Sequence, residues 1–151
     1  ANMVLVVLDN STTAMTGHQP HPGTGQTVMG EIVQKINIEQ VLRGIGVTEI
    51  ETINPLELEA SVSCVKRMAE KTGVRAIIFK APCIAVTKPK APLHVDQDSC
   101  IGCKKCIRDL GCPAIVMNDG KICIDASMCT GCHLCSQVCP VCAIAGGDDH
   151  E

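Results

Sequence analysis

The sequence predicts an α/β half built on a parallel sheet, then an α+β half organised by metal-binding cysteines rather than by apolar side chains. Three observations predict this. Short apolar strands alternate with helical segments as far as Phe79. A stretch carrying lysines and prolines, Lys88-Pro89-Lys90-Ala91-Pro92, then interrupts the pattern. Beyond it, eight of the twelve cysteines fall into two similar runs.

The first half is read in order. Residues 3–8 form a continuous apolar run, as in a strand buried on both faces. Residues 39–43 are a short helical stretch closed by Gly44 and Gly46. Residues 47–53 alternate like a strand. Residues 56–71 read as the best helix, with Leu56, Ala60, Cys64 and Met68 at i, i+4 spacing, and Gly73 stops it. Residues 74–79 make a third strand. Strand–helix–strand–helix–strand implies parallel pairing with right-handed crossovers. Three strands and two helices make a poor independent core, and the chain opens almost inside a strand. The expectation is therefore the C-terminal piece of a longer protein, or a chain whose other half is a second polypeptide.

The boundary falls within residues 85–92. Two prolines with intervening charges disfavour helix and suit an extended linker. The expected division is residues 1–85, a linker at 86–93, and a second unit at 94–151.

The second unit carries Cys100-x2-Cys103-x2-Cys106-x5-Cys112-Pro113 and Cys129-x2-Cys132-x2-Cys135-x3-Cys139-Pro140. The second run has the spacing of a bacterial two-cluster ferredoxin, in which the fourth cysteine ligates the other cluster. Cys100, Cys103, Cys106 and Cys139 are accordingly assigned to one 4Fe–4S cluster. Cys129, Cys132, Cys135 and Cys112 are assigned to a second. Four-cysteine zinc sites also use C-x2-C pairs, but two triplets each followed by Cys-Pro suit zinc poorly. A disulfide framework would need an oxidising compartment, and no secretory signal opens the chain.

The unit repeats internally. Asp96 stands four residues before Cys100, and Asp125 four before Cys129. Residues 115–117 and 121–124 flank Asn118-Asp119-Gly120, whose Asp-Gly pair favours a hairpin turn. The expected repeat is short strand, cluster loop, short helix, strand.

Composition narrows the function. With one Phe and no Trp or Tyr, aliphatic residues must fill the first core. Net charge is −3, which gives no reason to expect nucleic acid. From His94 onward there are eight acidic and four basic residues; before it, eight acidic and nine basic. No apolar run approaches the ~20 residues of a membrane helix, so a cytoplasmic protein is expected.

The most unusual segment without cysteine runs from Leu8 to Gly25, LDNSTTAMTGHQPHPGTG. It follows the C-terminal end of a strand, where open α/β sheets bind ligands. Long loops of this kind are either functional or solvated. The segment resembles the second half of the thiamine-diphosphate motif of the 2-oxoacid:ferredoxin oxidoreductases. Within that family it is most similar to the large (alpha) subunits of the indolepyruvate:ferredoxin oxidoreductases. The likeness continues through Ala81-Pro82-Cys83 and into the cysteine runs with their widened x5 spacing. It implies a partial thiamine-diphosphate-binding α/β domain followed by a two-cluster ferredoxin-like domain.

The resemblance also implies site residues. Asn10 matches the position whose side-chain oxygen binds magnesium. Thr12 matches the one whose backbone carbonyl does so. Magnesium demands hard oxygen ligands, and an amide and a carbonyl suit it. Thr13, Met15, Thr16 and Gly17 match the stretch that wraps the cofactor. The Gly-Asp-Gly that opens the motif is absent, the activating glutamate is not identifiable, and no residue is assigned as catalytic.

The implied activity is oxidative decarboxylation of an aryl 2-oxoacid such as indolepyruvate. Coenzyme A takes the acyl group, and electrons pass through the clusters to an external ferredoxin. The implied partners are the N-terminal part of the subunit and a smaller beta subunit. The alternative is an electron-transfer module with a degenerate α/β appendage.

The remaining cysteines and the loop histidines have simpler readings. Cys64 reads as core and Cys83 as a buried small residue. Cys123 and Cys142 read as packing around the clusters, Cys142 being the best alternative ligand. His21 reads as structural or solvated, while His18 could equally contact substrate. Lys104 and Lys105 can steer an acidic partner or simply be solvated.

Overall fold

The computed structural model describes residues 1–146. It consists of two compact units, Ala1–Thr87 and a second from Lys88 onward.

In the first unit, β1 (Met3–Asp9), α1 (Ile38–Gly44), β2 (Glu49–Ile53), α2 (Leu58–Glu70) and β3 (Val74–Lys80) follow one another. The sheet order is β1-β3-β2, and both pairings are parallel. Local chemistry sets the helix starts. Asn37 Oδ1 accepts from the Gln40 N–H at 3.1 Å, a cap worth about 1 kcal/mol. The Asn54 carbonyl accepts from the Ser61 hydroxyl at 3.2 Å and holds the turn before α2.

β3 is the central strand and carries both cores. On one face Ala76 and Ile78 join Leu42 and Val47, with Leu5, Val7, Ile38 and Ile50 against them. On the other, Ile77 joins Cys64 and Met68, with Val4, Ile53 and Phe79. Cys64 is thus core, as its helical spacing suggested. The expectation that the first strand is buried on both faces is corrected. β1 lies at the sheet edge, with Val6 49% and Leu8 76% exposed. The cause is the sheet order, in which β1 pairs on one side only among the described strands. Val4 still packs against Cys64 and Met68 of α2, while Arg67 and Lys71 pair with Glu51 and Glu49 on the opposite edge strand, β2. Buried Arg75 is satisfied by carbonyls, its Nε donating to Met68 O at 3.0 Å.

The second unit contains β4 (Leu93–Val95), α3 (Lys105–Leu110), β5 (Ile115–Asn118), β6 (Lys121–Ile124), α4 (Leu134–Val138) and β7 (Ile144–Gly146). β4 pairs antiparallel with β7, and β5 with β6. The hairpin turns at Asp119 and Gly120, both with positive φ, as Asp-Gly predicts. Only a thin apolar layer is buried here, including Leu93, Ile115, Ile122, Val138 and Ile144. Such a core is small for a unit of this size, which is why bound metal would matter to its stability.

Candidate functional site

The cysteine runs take up matching backbone. Gly102 and Gly131 have φ of 66° and 67°, and Lys104 and His133 have 59° and 61°. Each loop turns through the left-handed region twice and then enters its short helix. The Cys100 N–H donates to Asp96 O at 3.0 Å, and the Cys129 N–H to Asp125 O at 3.0 Å. Each aspartate carboxylate is held by the serine downstream. The Asp98 N–H reaches Asp96 Oδ1 at 3.0 Å, and the Ser127 N–H reaches Asp125 Oδ1 at 2.9 Å. Hydrogen bonds from Ser99 and Ser127 depress both carboxyl pKa values. The two extra residues of the first run lengthen its helix and end it at Gly111, whose φ is 57°.

One cavity is lined by Cys100, Cys103, Cys106 and Cys139, with Val95 and Ile144 among the apolar residues that close it. The fold therefore gathers three cysteines of the first run with the last of the second. Burial raises the Cys106 thiol pKa, and Cys103 and Cys139 add to that. Burial pushes Cys135 up to about 11, with Cys132, Cys129 and then Cys112 opposing its ionisation. The second gathering is the complement of the first. Among the described residues, no three His, Cys, Asp or Glu side chains are placed to hold a single metal ion as they stand. The Ala143 N–H points at Cys139 Sγ, 3.3 Å away.

Cys142 is exposed, has φ 52°, and is absent from the lining of the cavity at Cys139. Cys123 and Cys83 are partly buried.

In the first unit the loop after β1 is shaped by its own side chains. Asn10 Oδ1 accepts from the Thr12 N–H at 3.2 Å, and Thr12 is buried. The amide oxygen keeps a second lone pair, and both residues supply hard oxygens of the kind magnesium takes. Alone, they are part of a coordination sphere. Asn10 lines a cavity of about 300 Å³ with Leu8, Pro55, Ser61 and Phe79. Thr13 and Thr16 are tied to Gln19, by Thr13 Oγ1 to Gln19 O at 2.6 Å and Thr16 Oγ1 to Gln19 Oε1 at 2.7 Å. Gly17, with φ 99°, closes that turn. Met15 is fully exposed. These four do not line the cavity at Asn10.

A second cavity of about 450 Å³ opens at the C-terminal ends of β1 and β3, lined by Asp9, Ser11, His21, Lys35, Thr52 and Lys80 among others. His21 Nδ1 accepts from the Gly23 N–H at 3.1 Å, leaving Nε2 to carry the proton in the neutral ring. Lys80 lies 3.7 Å from Asp9 Oδ2. The sequence reading missed Asp9, Lys35 and Lys80. Asp9 and Lys80 are brought together by the parallel pairing of β1 with β3, and Lys35 reaches the same cavity from the loop before α1. His18 is exposed, with φ 62°.

Residues 1–79 match the model of the thiamine pyrophosphate enzyme, C-terminal TPP binding domain, and residues 92–140 match that of the 4Fe-4S dicluster domain. The indolepyruvate oxidoreductase subunit IorA of Methanothermobacter thermautotrophicus is 46% identical over 143 residues, covering 93% of this chain and 23% of the relative. That of Archaeoglobus fulgidus is 39% identical, over 95% and 24%. That of Thermococcus kodakarensis is 40% identical, over 93% and 23%. The chain spans about a quarter of the length of these curated relatives and matches their C-terminal part. No solved structure matches it. These relatives bear out the resemblance read from the 8–25 loop and the cysteine runs.

Proposed function

The chain belongs to the thiamine pyrophosphate enzyme family, with a 4Fe–4S dicluster domain after the cofactor-binding one, and on that premise we propose that it is the C-terminal part of a 2-oxoacid:ferredoxin oxidoreductase large subunit. The substrate is an aryl 2-oxoacid, indolepyruvate first, and the product its coenzyme A thioester. The observation that carries the reading is the coupling of two features on one chain. A cofactor-type loop leaves β1, and a cavity ringed by Cys100, Cys103, Cys106 and Cys139 lies in the dicluster unit.

When bound, thiamine diphosphate would supply an electron sink for decarboxylation and the clusters a route for single electrons. Asn10 Oδ1 and the Thr12 carbonyl would hold magnesium. Thr13, Met15, Thr16 and Gly17 would bind the cofactor, the exposed Met15 offering apolar surface. Cys100, Cys103, Cys106 and Cys139 hold one cluster; Cys129, Cys132, Cys135 and Cys112 hold the other. The remaining cofactor ligands, Gly-Asp-Gly among them, come from residues outside this chain, and a smaller beta subunit is the partner. External ferredoxin is the acceptor. Oxygen-sensitive clusters and twelve cysteines outside any disulfide suit a reducing cytoplasm. Among the described residues no helix is long and apolar enough to cross a membrane.

The test is anaerobic assay of the complete subunit with its partner. Indolepyruvate should bleach the cluster absorbance only when thiamine diphosphate, magnesium and coenzyme A are present. Clusters that dithionite reduces but no 2-oxoacid does, in protein that binds no thiamine diphosphate, would establish the electron-transfer module instead.

A further inference from the structure

The dicluster unit is a repeat whose halves share backbone geometry but not surroundings. Gly102 and Gly131 are equivalent turns. A Cβ on Gly131 would stand 2.7 Å from the Ala91 carbonyl oxygen and 2.7 Å from Lys90 Cβ, whereas one on Gly102 meets nothing within 4 Å. The Lys90 N–H donates to Thr130 O at 3.2 Å, so the chain entering the unit lies along the second loop. Among the described residues the first loop has no such cover. Ile101 is 65% exposed and Cys103 is exposed, while Thr130 and Cys132, their counterparts, are half-buried.

Charge follows the same asymmetry. Of the four basic residues from His94 onward, three lie within five positions, Lys104, Lys105 and Arg108. Their counterparts in the second run are His133, Leu134 and Gln137. Lys105 stands 3.6 Å from Asp109, and Asp98 adds a further carboxylate before Cys100, yet the α3 segment stays net positive on an acidic unit. An exposed apolar residue followed by three exposed basic residues beside a redox centre suits an acidic partner. Charge sets orientation and association rate there, and the apolar centre supplies contact.

We propose that the rim of the first cysteine loop, Ile101, Lys104, Lys105 and Arg108, is the exit port, docking a small acidic one-electron carrier protein. The cluster held by Cys100, Cys103, Cys106 and Cys139 is then the donor. It gives up one electron, the carrier's metal centre gains it, and no bond or proton moves. The second loop is covered by the Lys90–Ala91 segment of its own unit and offers no equivalent exposed face. This rests on the iron–sulfur reading above.

The experiment uses the reconstituted 151-residue chain, reduced with dithionite and mixed in stopped flow with oxidised acidic two-cluster ferredoxin. Basic cytochrome c serves as the opposite-charge acceptor. Iron and sulfide are counted first. Wild-type electron transfer to ferredoxin should fall at least tenfold between about 20 and 300 mM salt, a comparison that needs no variant. K104E/K105E/R108E with full iron content should lose about tenfold at low salt and bind ferredoxin more weakly in titration calorimetry, while its transfer to cytochrome c should speed up. K121E, a control on the hairpin, should change neither. Two results overturn the port with the clusters intact: a salt-independent wild-type rate, or a triple variant as fast as wild type. A chain that assembles no cluster overturns the iron–sulfur reading itself, and the port with it.

Discussion

The backbone N–H of Asp96 donates to the carbonyl of Ala143 at 2.8 Å, and Asp125 does the same to Ala114 at 2.8 Å. The entry to each cysteine loop is thus pinned to the residues that follow the other run. β4 pairs with β7 in the same sense, joining the start of the unit to its end. These bonds bring Cys139 to the first triplet and Cys112 to the second. The crossed gathering of thiols therefore goes together with the backbone pairing of the two halves.

The equivalent glycines allow a direct comparison. Gly102→Ala adds only the penalty of a non-glycine residue in the left-handed region, about 1–2 kcal/mol. Gly131→Ala adds to this a clash with the Ala91 carbonyl, for a further ~1–3 kcal/mol. In a unit of this size each kcal/mol lowers a midpoint by about 4–8 °C. The temperature at which cluster absorbance is lost should therefore fall more for Gly131→Ala. Equal losses would mean that the 90–91 segment yields freely.

Crossed gathering makes Cys139 the informative ligand. Cys139→Ser should damage the cluster of the first run although the change lies in the second. Reconstituted wild type should bind about eight iron and eight sulfide, as two cubanes require. The variant should keep about four, with the spectrum of the cluster at Cys129, Cys132 and Cys135 unchanged. Loss confined to that second cluster would reverse the assignment.

Much of this was legible in the sequence because cysteine chemistry is written in spacing. The runs, the Asp96 and Asp125 repeat and the Asp-Gly turn are local signals, and each reappears as local geometry. The position of β1 was not legible. An apolar run such as Met3 to Leu8 reports that a strand is apolar, whereas edge or centre depends on which strand pairs beside it. The 450 Å³ cavity was hidden for the same reason, since Asp9, Lys35 and Lys80 meet only in three dimensions. The likeness seen in both the 8–25 loop and Ala81-Pro82-Cys83 does acquire a cause. The Ala81 N–H binds Asp9 O at 3.1 Å and the Cys83 N–H binds Asn10 O at 2.9 Å, so the two segments are one structural feature.

Acid should loosen the first unit through Glu51. The hydrogen bond from Arg67 holds its carboxyl below the ordinary value, outweighing the opposing effect of burial. A carboxylate with a depressed folded pKa adds stability that is fully present above the unfolded value, ~4.3, and is lost as pH falls through the folded one. Glu51→Gln should therefore flatten the acid limb of stability below pH ~4.3 and leave its slope near neutrality unchanged. Urea midpoints across that range measure it. An identical acid limb in the variant would assign the pH dependence to other carboxylates.

Asn10 separates the cofactor reading of the loop from the structural one. Its Oδ1 already accepts from the Thr12 N–H, so Asn10→Ala removes a turn bond under either reading, at about 1 kcal/mol of stability. The readings part on magnesium. If Asn10 also ligates the ion, the variant in the complete enzyme loses one oxygen from an octahedral shell that tolerates imperfect geometry badly. Thiamine diphosphate should then bind more weakly at limiting magnesium, and excess magnesium should restore much of the affinity, with cluster absorbance constant throughout. Asn10→Asp supplies a hard oxygen in place of the amide oxygen and should retain most of the affinity. If Asn10 only shapes the turn, both variants lose stability alone, and cofactor affinity is independent of magnesium in the same way as in wild type. Isothermal titration with thiamine diphosphate at several magnesium concentrations reads the difference. An unchanged magnesium dependence in Asn10→Ala would remove the residue from the ligand set.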